Sequence, residues 1–190
     1  MLLSNEPDLD RIRSGSHYLA TLLKKENFEH WLVQERNLWR NVPLPEMYRD
    51  LSLQCAQCET FQDLALVFRR FKQCHFLRLA GQDLFGLAPF SRIVSQISDL
   101  ARTSLQVGLH VLTSRPELWI QNIDLVAYGI DIQKVSRYLG VLGLGKLGGN
   151  ELNFVSDIDL IFLRDNPGGD IPAGAEFKSV LSRLAQTLTR

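Results

Sequence analysis

Residues 138–163 read Tyr-Leu-Gly-Val-Leu-Gly-Leu-Gly-Lys-Leu-Gly-Gly-Asn-Glu-Leu-Asn-Phe-Val-Ser-Asp-Ile-Asp-Leu-Ile-Phe-Leu. This stretch reads as strand, glycine turn, second strand. Tyr138 to Leu144 is mostly apolar around Val141 and Leu142, as expected of a strand buried on both faces. Gly145, Gly148 and Gly149 supply a tight turn. Ile158 to Leu163 is a second apolar run of strand length, and Asp157 and Asp159 stand at its entry. Side chains alternate faces along a strand, so the two acids point the same way, with Cα atoms about 6.5 to 7 Å apart. Ile158, Leu160 and Phe162 take the opposite face.

Neighbouring carboxylates repel unless a cation lies between them. Hard divalent cations such as Mg²⁺ prefer oxygen ligands of this kind. Two such ions about 3.5 to 4 Å apart clamp the attacking and leaving oxygens of a phosphoryl displacement. The glycine turn offers backbone N–H groups as an anion nest, and Lys146 adds positive charge. A phosphate cradle facing a metal-holding Asp-x-Asp is the equipment of a nucleotidyltransferase.

Two other motifs overlap the stretch. Gly143-x-Gly145-x-x-Gly148 fits a dinucleotide fingerprint, with Asp165 at the distance of a ribose ligand. A βαβ crossover, however, needs about a dozen residues of helix, and residues 150–156 are too few and lack helical periodicity. Gly140-x-x-x-x-Gly145-Lys146 nearly completes a P-loop, but Leu147 stands where Ser or Thr must reach Mg²⁺. A purely structural reading is a glycine turn between two core strands with acids at a strand mouth.

Residues 143–162 resemble the signature of the glutamine synthetase adenylyltransferase/adenylyl-removing enzyme family. The Glu-Leu-Asn-Phe spelling at 151–154 is more similar to the family's N-terminal transferase copy, the adenylyl-removing one, than to its C-terminal copy. The resemblance implies an α+β chain: a helical N-terminal region over 1–115 and the start of a polymerase-β-like nucleotidyltransferase α/β domain over 138–190, truncated; the resemblance is poor over 116–137, a connection whose apolar residues fit helix and strand about equally. It implies phosphorolytic removal of AMP from an adenylylated tyrosine of glutamine synthetase, releasing ADP, with ATP-dependent adenylylation by a second copy. Asp157 and Asp159 would be the catalytic, Mg²⁺-holding carboxylates. Lys146, Gly148, Gly149 and Ser156 would bind nucleotide. The implied partners are glutamine synthetase, adenine nucleotide and phosphate, and a nitrogen-signalling regulatory protein in the longer enzyme.

One element of that pattern is missing. The family's third metal carboxylate comes from a later strand, in an Arg-x-Asp-x-Arg-Leu-Arg-Pro-like segment, and nothing in residues 164–190 matches it. Asp165 and Asp170 read as loop acids. The expectation is therefore a topologically incomplete domain that is weakly active or inactive on its own. A catalytically inactive binding module for glutamine synthetase is the alternative function, and a dinucleotide-binding domain a weaker one.

Composition sets outer bounds. Lys and Arg total 21, as do Asp and Glu, which gives no electrostatic case for nucleic acid. No apolar run reaches membrane-spanning length, and Met-Leu-Leu-Ser-Asn-Glu-Pro-Asp lacks the pattern of a signal peptide. Three cysteines suit a reducing cytoplasm.

Upstream, Ser16 is placed to cap a short helix bearing Leu19, Leu22 and Leu23. Asn41-Val-Pro-Leu-Pro is a break. Residues 46–80 read as one or two helices, with Phe61, Leu64, Phe68 and Phe71 on one face. Arg69, Arg70, Lys72 and Arg78 read as a solvated face. Cys55-x-x-Cys58 with Cys74-His75 has the outline of a zinc site, but adjacent residues diverge by about 100° on a helix, so buried thiols are expected instead. Gly81 to Pro89 reads as a joint, followed by a helix bearing Phe90, Ile93, Ile97, Leu100, Ser104 and Val107. Phe177, Val180, Leu181, Leu184 and Leu188 mark a last amphipathic helix.

Overall fold

The computed structural model describes residues 7–25, 27–120, 131–132, 136–164 and 175–189. Most of them are helical. Two short helices come first, α1 (Leu9–Gly15) and α2 (His17–Leu23). Ser16 caps α2 by accepting from the Leu19 N–H, and Leu19, Leu22 and Leu23 are buried as the spacing predicts. A π turn at His30–Gln34 and a 3₁₀ turn at Asn37–Trp39 lead to α3 (Leu44–Ala56). The proline break lies just ahead of α3, and Pro45 sits in its first turn, where no backbone donor is needed.

Helix α4 spans Phe61–Leu84. Thr60 starts it with a capping box, accepting from the Asp63 N–H at 3.1 Å while the Asp63 carboxylate accepts from the Thr60 N–H at 2.9 Å. The predicted joint at Gly81 is instead part of α4. Gly81 is there for packing: a Cβ on it would lie 2.6 Å from Leu38 Cδ1. The break comes at Gly86, whose φ is +64°. Helix α5 then runs Phe90–Ser114, burying Ile93, Ile97, Leu100 and Val107. Phe90, expected on that face, is exposed because it stands at the helix's first position, beyond the neighbours that cover the rest.

Strand β1 (Leu139–Gly143) pairs antiparallel with β2 (Leu160–Arg164), with Val141 opposite Phe162. Between them lies a single helical turn, α6 (Gly145–Gly148). Helix α7 (Ala175–Leu188) packs on α5, and Phe177, Val180, Leu181 and Leu184 share a cluster with Leu112 and Leu139. The observed class is α+β, as expected from the sequence.

Two expectations about β1 and β2 need correcting. β1 is not buried on both faces: Leu139 and Val141 face the core, whereas Leu142 is half exposed. The described sheet has two strands, and helices cover one side of it. β2 begins at Leu160, two residues later than the apolar run suggests, and Ile158 is exposed. Leu160 and Phe162 do share the inward face.

Cys55 and Cys58 are buried thiols and Cys74 is half-buried. Burial pushes the Cys55 thiol up to about 12 and that of Cys74 up to about 11. The predicted solvated arginine face is right for Arg69 and Arg70 and wrong for Arg78, which is 0% exposed. Its guanidinium donates to the Arg40 carbonyl at 2.9 Å and to His75 Nδ1 at 3.1 Å. Arginine has only donors, so His75 accepts at Nδ1 and is neutral. Burial, with the charges of Arg78 and Arg40, pushes the His75 pKa down to about 3.

This sets the acid response. An unfolded chain takes up a proton on His75 below about pH 6.5, and the folded chain does not until about pH 3. Stability carried by this group is present above pH 6.5 and is lost as pH falls toward 3, at up to about 1.4 kcal/mol per pH unit. Urea unfolding of His75→Gln is expected to show that much less slope across this window.

Candidate functional site

The glycine turn is held from below. Leu147 on α6 and Leu152 beyond it are buried with Leu79, Ile93, Ile97 and Ala101 of α4 and α5. Asn150, at φ +59°, turns the chain: its Oδ1 accepts from Arg102 Nη1 at 2.8 Å, and its Nδ2 donates to Ser95 Oγ at 3.1 Å. The Leu152 N–H donates to the buried Ser98 hydroxyl at 3.0 Å. Phe154 meets Phe76 edge-on at 5.7 Å. The Asn-Glu-Leu-Asn-Phe segment is thus a strap that fastens the turn to α5 and α4. Ser98→Ala would leave the buried Leu152 N–H without an acceptor. The expected loss is about 1–3 kcal/mol of stability, read by chemical denaturation.

The backbone of the turn is tightly specified. Gly145 has φ +52°, a left-handed conformation suited to glycine. At Gly148 a Cβ would lie 2.7 Å from the Gly143 carbonyl oxygen. The Gly148 and Gly149 N–H groups donate to the Leu144 and Gly145 carbonyls, so both are engaged within the turn rather than open to a ligand. The two glycines shape the turn. Lys146 is exposed on its rim.

Asp157 and Asp159 lie in the extended segment leading into β2, and both are exposed. The Asp159 carbonyl accepts from the Leu144 N–H at 2.9 Å, which extends the β1–β2 pairing to the mouth of the turn. Its carboxylate comes close to the first glycine: a Cβ on Gly145 would lie 3.7 Å from Asp159 Oδ2. The acid and the glycine turn are therefore one place. The Ser156 hydroxyl donates to Asn153 Oδ1 at 2.6 Å within the strap. Asp165 and Asp170 lie outside the described residues.

Antiparallel pairing decides against the dinucleotide and P-loop readings. Both need a parallel crossover through a full helix, and here residues 144–159 hold one four-residue helical turn and the strap before the chain returns antiparallel beside β1. A cleft of about 400 Å³ opens on the inner side of the sheet, lined by Arg102, Gln106, Val141 and Gly148 among others. Neither Asp157 nor Asp159 lines it. The strap's helix-side partners, Ser95, Ser98 and Arg102, are the residues that sequence reasoning missed. Ser98 and Arg102 lie one turn apart on α5, but polar residues within an amphipathic helix give no signal of what they meet.

The sequence profile of glutamate-ammonia ligase adenylyltransferase matches residues 7–190. The chain belongs to that family. Its relatives include proteins named bifunctional glutamine synthetase adenylyltransferase/adenylyl-removing enzyme. The one from Thioalkalivibrio sulfidiphilus is 31% identical over 192 residues, covering 96% of this chain and 18% of the relative. The one from Neisseria meningitidis serogroup B is 40% identical over 124 residues, covering 64% and 11%. The one from Methylococcus capsulatus is 32% identical over 143 residues, covering 73% and 14%. The chain thus spans less than a fifth of the length of these relatives. No solved structure matches it. Among the described residues no helix is long and apolar enough to cross a membrane.

Proposed function

We propose that this chain carries the metal-holding half of a site that removes AMP from adenylylated glutamine synthetase by phosphorolysis, in a longer protein that also adenylylates it. The observation that supports this reading most is the approach of the Asp159 carboxylate to Gly145, which brings one of the two acids to the glycine turn. Two exposed carboxylates two residues apart suit Mg²⁺, which takes one or two carboxylates together with phosphate oxygens and keeps several waters. When bound, the ion would neutralise phosphate charge.

The chain's own residues have separate tasks. Asp157 and Asp159 would hold the metal, Lys146 and Ser156 attract the phosphates, and Gly145, Gly148 and Gly149 shape the turn whose first glycine meets Asp159. In the reaction an oxygen of inorganic phosphate attacks the phosphorus of tyrosine-bound AMP. A new P–O bond forms ADP, the bond to the tyrosine oxygen breaks, and the phosphate's proton leaves on the tyrosine hydroxyl. Positioning and charge neutralisation supply most of the acceleration.

The resemblance calls for three carboxylates, so the 190-residue chain by itself is a weak catalyst. The reading also carries a cytoplasmic location and, for the longer protein, contact with a nitrogen-signalling regulator.

A chimaera tests the function. Residues 7–190 replace their counterpart in the Neisseria meningitidis relative, and the product is incubated with adenylylated glutamine synthetase, Mg²⁺ and phosphate. Phosphate-dependent release of ADP is the expected result. A chimaera that still adenylylates but releases no ADP would refute the reading.

A further inference from the structure

Away from the acid pair, a cavity of about 150 Å³ lies between the Trp31–Val42 segment, α3 and α4. That is roughly five times the share of volume that one water takes in the liquid. Its walls include Arg40, Arg70, His75 and Arg78, with one acid, Asp50.

Arg78 is the anomaly. It is 0% exposed, and its protein acceptors are a carbonyl and a neutral imidazole. Its Nε–H has no partner. Arginine does not escape burial by losing its proton. A buried charge without a counter-ion is strongly unfavourable. The nearby acids are already committed. Glu46 pairs with Arg40, and Asp50 pairs with Arg49 at 3.1 Å. No described carboxylate forms an ion pair with Arg78 or Arg70.

We infer that this cavity binds a small oxyanion of the phosphate class, held by Arg70 at its exposed rim over the buried charge of Arg78 beneath its floor. Guanidinium N–H groups match the spacing of two oxygens on one oxyanion. Arg40 lends its field from the wall while keeping Glu46. Asp50 opposes the anion, so Asp50→Asn strengthens binding. The site is independent of the acid pair and of the function proposed above.

The test is thermal unfolding of the 190-residue chain in a zwitterionic buffer, with phosphate raised at constant ionic strength against sodium chloride. Binding to the folded state raises the midpoint with ligand concentration. Phosphate is expected to raise it and chloride is not; acetate in a parallel arm separates a tetrahedral oxyanion from a carboxylate. Arg78→Met is expected to abolish the phosphate response. Arg70→Gln changes only the rim, keeps the fold, and is expected to weaken apparent phosphate affinity about tenfold, the loss of one charge-assisted contact. Lys178→Gln, exposed on α7 and outside both sites, should leave the response in place. A phosphate effect no larger than that of chloride, one larger for acetate than for phosphate, or one that survives Arg70→Gln undiminished, overturns the inference.

Discussion

Asp159→Asn in the chimaera is expected to lower phosphate-dependent ADP release by about a thousandfold or more, and Asp157→Asn to do the same. Adenylylation by the relative's own second copy should be unchanged. The reason lies in placement. Asp159 is fixed by its backbone, because its carbonyl accepts from Leu144 and ties the residue to the mouth of the turn. Its carboxylate faces Gly145 and has open solvent beyond. Asparagine keeps the shape and removes the charge, so a folding defect is not expected. An isosteric loss confined to one of two activities would identify the acids with removal. Equal loss of both would show that they hold the molecule together instead.

The second large effect is structural. Gly148→Ala places a methyl group 2.7 Å from the Gly143 carbonyl oxygen, well inside contact distance. The obstacle is backbone within β1 and cannot rotate away. The turn must shift, and with it Leu147, which anchors α6 among Leu79, Ile93 and Ile97. A loss of about 1–3 kcal/mol is expected, the range for overpacking, together with loss of Mg²⁺-dependent nucleotide binding. Gly149→Ala is the control. Its Cβ would meet only the flexible end of Glu151, at 3.3 Å. It should change stability by less than about 0.5 kcal/mol. Urea unfolding of the two variants side by side checks both values.

How far the sequence carries depends on what each residue meets. Helices α2, α4, α5 and α7 were legible because apolar residues at intervals of three and four have one consistent burial face. The strand–turn–strand was legible from its glycines and apolar runs, with residues 150–156 too few and too aperiodic for a crossover helix. The exposure of Leu142 was not, since an apolar run does not say how many strands flank it. Gly81 misled because glycine marks both breaks and close packing, and only Leu38 against it tells which. Arg78 misled for a related reason. Its acceptors are Arg40, 38 positions earlier, and His75 on the previous turn, and a charged residue in a helix otherwise signals solvent. The approach of Asp159 to Gly145 was not legible, because it depends on the antiparallel register of β1 and β2.

The most direct measurement is Mn²⁺ binding to the 190-residue chain, followed by electron paramagnetic resonance with Mn²⁺ standing in for Mg²⁺. Wild-type chain with ADP is expected to quench the free-ion signal, and Asp157→Asn/Asp159→Asn to restore it, weakening the apparent affinity about a hundredfold or more, beyond the 10–100-fold typical of losing an outer-shell partner. Equal Mn²⁺ binding by wild type and the double variant would contradict the account, because the acid pair would then not be the metal site.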